Sequence, residues 1–396
     1  MTLQRLRLRL YSLAFIDEFG PLYAVFTLWF NDNGVSVAEL SSVFLTWSIV
    51  TIVLEIPSGV VADRLDRRHV LGFAFWLRAI AIIVWLLVPT LVGAMIGAGL
   101  WAIHSSLASG AWEANVHDQL TAAGGEREYP VVMARVGQLG HLGVALASVV
   151  AIAVLAFGGS FEQLGWVTVA VHVISIGLVL TLPDVSFISA DQRSDVGLVE
   201  GFRTTLRAGI AEARASVEVF HLVILGAFVE GLFLFDEYVP LLARDRGASD
   251  ATVPILVLIV WAGLLIGGEV VARYPAVTGR TVGLLLVAGA AAMALAMIAT
   301  PLWTLPLIGV GYIAMQANWV TIDARLQERV GPHNRATVTS VKGFLAGLIS
   351  GVGFLMIGLA TRGTDARPGL YVAVIVIGVI GLATIRWLPD RRPVRQ

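Results

Sequence analysis

Twelve runs of roughly 20 apolar residues, each the length of a helix that crosses a bilayer, recur along this chain of 396 residues. They lie near 10–31, 37–62, 69–89, 91–117, 130–157, 162–182, 219–243, 251–272, 280–299, 302–324, 336–360 and 369–388. Only 14% of residues are charged and 57% are hydrophobic, whereas a soluble domain carries about 25% charged residues. The chain lacks the polar surface to cover itself in water and reads as an all-α membrane protein. The net charge of -1 argues against nucleic acid or another strongly charged molecule as the main partner. The absence of cysteine removes disulfides, thiolate metal sites and Cys nucleophiles.

Arginine and lysine set the orientation. If the N-terminus is inside, the inner segments hold 19 of the 27 basic residues and the outer ones only Arg244, Arg246, Arg362 and Arg367, the other four lying in or beside spans. That asymmetry predicts both termini in the cytoplasm and a place in the cytoplasmic (inner) membrane. The basic start "MTLQRLRLRL" does not read as a cleaved signal peptide, because Asp17 and Glu18 interrupt the apolar run and no small-residue cleavage site follows. The longest polar interval, 183–217, divides a first bundle (1–182) from a second (218–396). Within it Leu198, Phe202, Leu206 and Ile210 recur every four residues, a pattern for a helix on the inner membrane surface; 183–197 reads equally as a plain linker.

The halves repeat weakly. "DNGVSVAEL" matches "DRGASDATV", setting Gly247 213 residues after Gly34, and the same shift sets Glu230 opposite Asp17. Glu269 then answers Glu55, and Asp323 answers Asp118. A rival match, "DEFGPL" with "DEYVPL", needs a shift of 219 and slides the first span past the end of the seventh. Two pseudo-symmetric six-helix bundles with the same sense of insertion are a transporter architecture.

Residues 55–71 read "EIPSGVVADRLDRRHVL". This resembles the cytoplasmic loop signature Gly-x-x-x-Asp-Arg-x-Gly-Arg-Arg of the major facilitator superfamily, matched by Gly59, Asp63, Arg64, Arg67 and Arg68, with Asp66 where the family has glycine. "SGAWEANVHDQL" at 109–120 resembles the end of that family's fourth helix. The resemblance implies the major facilitator fold, alternating access, and a cytoplasmic charge relay of Asp63 and Arg67 with Asp118. The plainer reading of Arg64, Arg67 and Arg68 is positive-inside anchoring. The family's proline-containing antiporter motif is missing from span 5, and no arginine lies between 91 and 126 where many members carry one; His104 stands near that place, as a packed histidine or a proton site.

Ionisable residues inside a membrane mark transport pathways by default. Asp17 and Glu230 lie nearest mid-depth and are the leading proton-coupling residues, with Glu18 and His104 behind them. Adjacent helical residues point about 100° apart, so Asp17 and Glu18 do not share one direction, and Asp17 is preferred. Glu55 and Glu269 near the inner ends suggest a gating pair, while Asp236 and Glu237 are outer-gate residues or simply reach interfacial water. Arg78, mid-span 3, requires an acid. Lys342 and Arg135 are placed to snorkel inward. Glycines 137, 140 and 143 on span 5, and 343, 347 and 351 on span 11, form stripes for close helix approach. Trp101, Trp112, Trp261 and Trp319 suit a cavity lining or interface anchors.

The expected function is secondary active transport, by preference proton-coupled export of a small amphipathic compound, with uptake or facilitated diffusion of a metabolite as the alternative. The partners are then a small-molecule substrate, protons and the bilayer, with the chain acting as a monomer. There is no HExxH, no Walker-type loop and no GxSxG, so no enzyme, metal site or cofactor is expected.

Overall fold

The computed structural model describes residues 2–185, 207, 209–214, 216–331, 334–361 and 365–390. The side chains of residues 55–57, 59, 60, 62–64 and 336 are outside that description. Among the described residues the chain is helical, and twelve segments are long and apolar enough to cross a membrane. They coincide with the twelve apolar runs, the first beginning earlier, at Leu3.

In chain order the helices are α1 (Leu3–Glu18), α2 (Phe26–Asp32), α3 (Val37–Arg64), α4 (Arg67–Leu87), α5 (Leu91–Ala122), α6 (Tyr129–Ala156) and α7 (Phe161–Leu180). After the central interval come α8 (Val217–Gly231), α9 (Val239–Asp245), α10 (Val253–Arg273), α11 (Gly279–Ile298), α12 (Leu307–Arg329), α13 (Arg335–Ala360) and α14 (Arg367–Trp387). The interfacial-helix residues Leu198, Phe202 and Leu206 lie outside the described residues.

The first and seventh spans are each broken in the middle. A 3-10 turn, Pro21–Ala24, separates α1 from α2, and a longer one, Leu232–Tyr238, separates α8 from α9. Backbone groups freed inside a membrane must find partners within the protein, and neighbouring side chains supply them. Thr168 accepts from the Leu22 amide at 3.1 Å. Tyr312 donates to the Phe233 carbonyl at 2.8 Å, and Ser350 to that of Gly231 at 3.1 Å. Gly-Pro at 20–21 is a break signal in the sequence and no such pair marks the second, but spans drawn by hydropathy at 10–31 and 219–243 run straight through both.

The repeat is sharpest here. The helix pieces end at Glu18 and Gly231, restart at Phe26 and Val239, and end again at Asp32 and Asp245, each pair 213 apart. Both second pieces stop in the same motif. The amide of Val35 reaches Phe30 O and that of Gly34 reaches Asn31 O; Ala248 reaches Ala243 O and Gly247 reaches Arg244 O. This is the Schellman arrangement, and it puts Gly34 and Gly247 at φ 86° and 78°, where a Cβ is strained.

The chain separates into two compact units. The first holds the residues up to Val35, α3 from Thr46, helices α4–α7 and Asp250–Ile255. In it α1 packs on α6, and α4 packs on α5 and α7. The second holds Ser36–Leu45, α8 and α9, and the chain from Leu256 on. In it α8 packs on α13, and α11 packs on α12 and α14, the same scheme. The first turns of α3 are thus built into the second unit, where Ser41 shares a buried 2.7 Å hydrogen bond with Tyr238 and Phe44 packs on Phe354. Splitting the chain at 183–217 does not foresee that exchange.

Candidate functional site

On α1 the buried residues Leu6, Leu10 and Leu13 form a stripe at helical spacing, and Asp17 continues it. That spacing turns Asp17 toward the interior of its own unit. Arg78 of α4, only 6% exposed, donates to Asp17 Oδ1 at 2.9 Å. His104 of α5 is buried, its Nε2 3.5 Å from the guanidinium and 3.9 Å from Asp17. A guanidinium only donates, so Nε2 is the acceptor and this imidazole is neutral in the contact. One turn earlier on α5, the ring of Trp101 lies 4.7 Å beneath the Arg78 guanidinium, a cation–π contact that strengthens when water is excluded. The acid that Arg78 requires is Asp17.

Glu18 behaves differently. It is exposed, at the last residue of α1, and it lies across α6. A Cβ on Gly143 would come within 2.4 Å of the Phe15 carbonyl and 3.4 Å of Glu18 Cβ; one on Gly140 would stand 3.4 Å from Glu18 Cγ. These glycines let α1 approach and leave the Glu18 side chain its place. Gly137 has open space around it and takes no part.

In the second unit the equivalent of Asp17 is Glu230, one residue before α8 ends. Its cation comes from α13. Lys342 is 3% exposed, with Nζ 3.2 Å from Glu230 Oε2 and 3.0 Å from Asp323 Oδ1 of α12. The expectation that Lys342 snorkels to the inner surface is therefore corrected: two carboxylates hold it inside. Trp319 Nε1 donates to Glu230 Oε2 at 3.1 Å, and the Trp319 ring lies 5.2 Å from the ammonium. Residues four apart share a helix face, so Trp319 and Asp323 converge, as do Gly226 and Glu230. A Cβ at Gly226 would reach within 2.9 Å of Lys342 Cδ; the glycine makes room for the lysine stem. Gly343, by contrast, faces open space, so the span 11 stripe does not pack there as expected.

The remaining residues singled out in the sequence fall elsewhere. Arg67 donates to the Asp118 carboxylate, a contact between two of the residues that the resemblance groups in a relay. The side chains of Glu55, Gly59, Asp63 and Arg64 are outside the described residues. Asp66, which replaces the family's glycine, caps α4 by accepting from the Arg68 amide at 2.9 Å; the turn runs through an extended residue and needs no glycine. Arg68 also donates to Leu182 O. Glu269 is exposed and pairs along its own helix with Arg273 at 2.8 Å. Asp236 and Glu237 sit half-buried in the 3-10 break. Arg246, which closes α9, donates to Thr304 and to the Met297 carbonyl. Arg135 bonds Gln138 on the exposed side of α6.

The sequence reading missed the shared lysine because helix number alone does not say which face of α13 turns inward. It also missed His172 of α7, wholly buried in the first unit.

The family model described as Major Facilitator Superfamily matches residues 10–354. No curated protein sequence matches the chain. Among solved structures it is similar to the nucleoside transporter NupG, at TM-score 0.73 and 16% identity over 98% of this chain and 100% of that one. It is also similar to a D-xylose-proton symporter, at 0.70 and 16%, covering 97% of each chain. A bacterial homologue of the human lysosomal transporter Spinster aligns at 0.64 and 18%, over 97% of this chain and 94% of that one. At such identities these likenesses speak for the fold. The family match spans most of the chain, and with twelve apolar helices in two repeated bundles the conclusion is plain: the chain belongs to the Major Facilitator Superfamily, a multi-pass membrane transporter of small molecules by alternating access and not an enzyme.

Proposed function

We propose that this protein is a proton-coupled exporter of small amphipathic compounds in the cytoplasmic membrane, with both termini inside, and that Glu230, Asp323 and Lys342 form its coupling site. One observation carries the reading: two carboxylates share a single buried ammonium. With all three ionised the cluster holds one uncompensated negative charge. Such a charge is tolerable where water reaches it and expensive where water is withdrawn. One proton neutralises it. The carboxylates are 35% and 32% exposed while the lysine is 4% exposed as a side chain, so protons can reach the acids while the cation stays fixed.

Asp17 supports no such cycle. Its charge is already balanced by Arg78, and a guanidinium does not deprotonate in proteins. The pair reads as scaffolding, and the leading role moves from Asp17 to its counterpart in the second unit.

The test is transport by purified protein in proteoliposomes under an imposed pH gradient. Glu230→Gln and Asp323→Asn are each expected to abolish the response to the gradient while leaving downhill flux. Gradient-driven transport equal to the unaltered protein in both variants defeats the proposal. Uptake of a metabolite is the second reading, supported by fold likeness to a D-xylose-proton symporter and a nucleoside transporter. Comparing flux in right-side-out and inverted vesicles decides between the two directions.

A further inference from the structure

We propose that Glu18 receives the positive charge of the substrate, and that the transported compounds are organic cations with an apolar body. This deepens the export reading above by naming the substrate class.

Asp17 and Glu18 are neighbours with one cation between them, and the Arg78 guanidinium gives its hydrogen bond to Asp17. The Asp17–Arg78 pair is neutral as a unit, and His104 adds no charge as the acceptor in its contact with Arg78. Glu18 therefore leaves its half of the intramembrane charge uncompensated. Its position increases the imbalance, because it closes α1 and the last turn carries no basic residue. Helix C-termini favour cations and disfavour carboxylates. A bare carboxylate at such a place destabilises the resting protein and stabilises whatever cation arrives.

Shape agrees with charge. Gly140 and Gly143 leave α6 without side chains where Glu18 crosses it, so the carboxylate stays exposed in a helix-packed setting. Phe15 in the last turn of α1 and Phe19 just past its end stack with ring centroids 5.6 Å apart and are only half-buried. Aromatic faces attract cations and cover apolar groups. A carboxylate at a helix end that also carries two stacked phenyl rings suits a protonated amine or a quaternary ammonium or phosphonium attached to an apolar body. It does not suit a sugar, which needs several hydrogen-bonding groups, or an anion.

The experiment is equilibrium binding to the full-length protein in detergent or nanodiscs, with tetraphenylphosphonium as probe and neutral triphenylphosphine oxide as its uncharged match. The unaltered protein is expected to bind the cation and to discriminate against the neutral compound by about tenfold or more. Glu18→Gln is expected to erase that discrimination, and Glu18→Asp to keep part of it. A measurement on the unaltered chain stands independently of how the variants fold: bound tetraphenylphosphonium should slow carbodiimide labelling of Glu18, read by mass spectrometry. No binding of the cation, equal binding of both compounds, or labelling of Glu18 unaffected by the cation each overturns the proposal. Binding needs no pH gradient. Loss of coupling in the Glu230 and Asp323 variants can therefore fail without touching this result, and the reverse also holds.

Discussion

Asp17 in the first unit and Glu230 in the second occupy corresponding places at the broken ends of corresponding helices, yet they are neutralised differently. Asp17 meets one guanidinium from α4, in a pair whose cation is almost wholly buried. Glu230 shares one ammonium from α13 with Asp323. The first arrangement balances its charges and the second does not. Each also places a tryptophan ring against the cation, Trp101 in one and Trp319 in the other. Repetition of a backbone plan thus preserves the site of an acid while leaving free which helix answers it. A balanced pair holds helices together; an unbalanced trio has a charge to exchange.

The comparison breaks most easily at Arg78. Arg78→Met strands Asp17 inside the first unit, and removing one partner of a buried pair costs about 3–5 kcal/mol. Unfolding in denaturant should show a loss of that size, largely recovered in Asp17→Asn/Arg78→Met. Lys342→Met should cost less, because its acids are about a third exposed. The reverse order of the two losses would mean that the second cluster, not the first, is the scaffold.

Close approach of the first and fifth helices in each bundle is a second shared device, with the glycine on opposite partners. A Cβ on Gly143 of α6 would meet the Phe15 carbonyl at 2.4 Å, and one on Gly231 of α8 would meet the Ala346 carbonyl at 2.8 Å. Gly143→Ala and Gly231→Ala should each destabilise by about 1–3 kcal/mol. Gly137→Ala, in open space, should be neutral or gain up to about 1 kcal/mol. Thermal unfolding of the three variants checks the contrast.

Transport sharpens the functional side. Asp17→Asn should keep its response to a pH gradient, whereas Asp323→Asn should abolish it, a loss of more than about tenfold or roughly 1.4 kcal/mol of coupling. Equal losses in the two variants would erase the distinction between scaffold and coupling site.

The smallest effect lies outside the membrane. Asp365 accepts two hydrogen bonds from the Arg367 side chain, at 2.8 and 3.0 Å, and this holds its carboxyl below the usual range. A depressed acid stabilises the folded state above its unfolded pKa, and that contribution fades as pH falls through the folded value. The pair is partly exposed, so Asp365→Asn should cost under about 0.5 kcal/mol at neutral pH and nothing in strong acid. Unfolding midpoints at the two pH values measure it.

Much of this was legible in the residues. Twelve spans, the halves and the shift of 213 follow from hydropathy and from "DNG" and "DRG", because lipid leaves the backbone few alternatives to a helix. The pairing of Arg67 with Asp118 came from the loop signature. The turn of Asp17 toward its own bundle is present in the spacing Leu6, Leu10, Leu13, Asp17. The break at 232–238 was not legible, since "GLFLFDEY" holds no Gly-Pro and its carbonyls are satisfied by Tyr312 and Ser350, far along the chain.

What the sequence by itself determined is the class of molecule: a bilayer-spanning helical repeat with acids at fixed depths, set by the cost of exposing peptide groups and charge to hydrocarbon. What only the tertiary structure decided is partnership. Arg78, Lys342, Asp118 and Asp323 acquire their meaning from which helix faces pack together, and a carboxylate is scaffold or carrier according to the cations within about 4 Å.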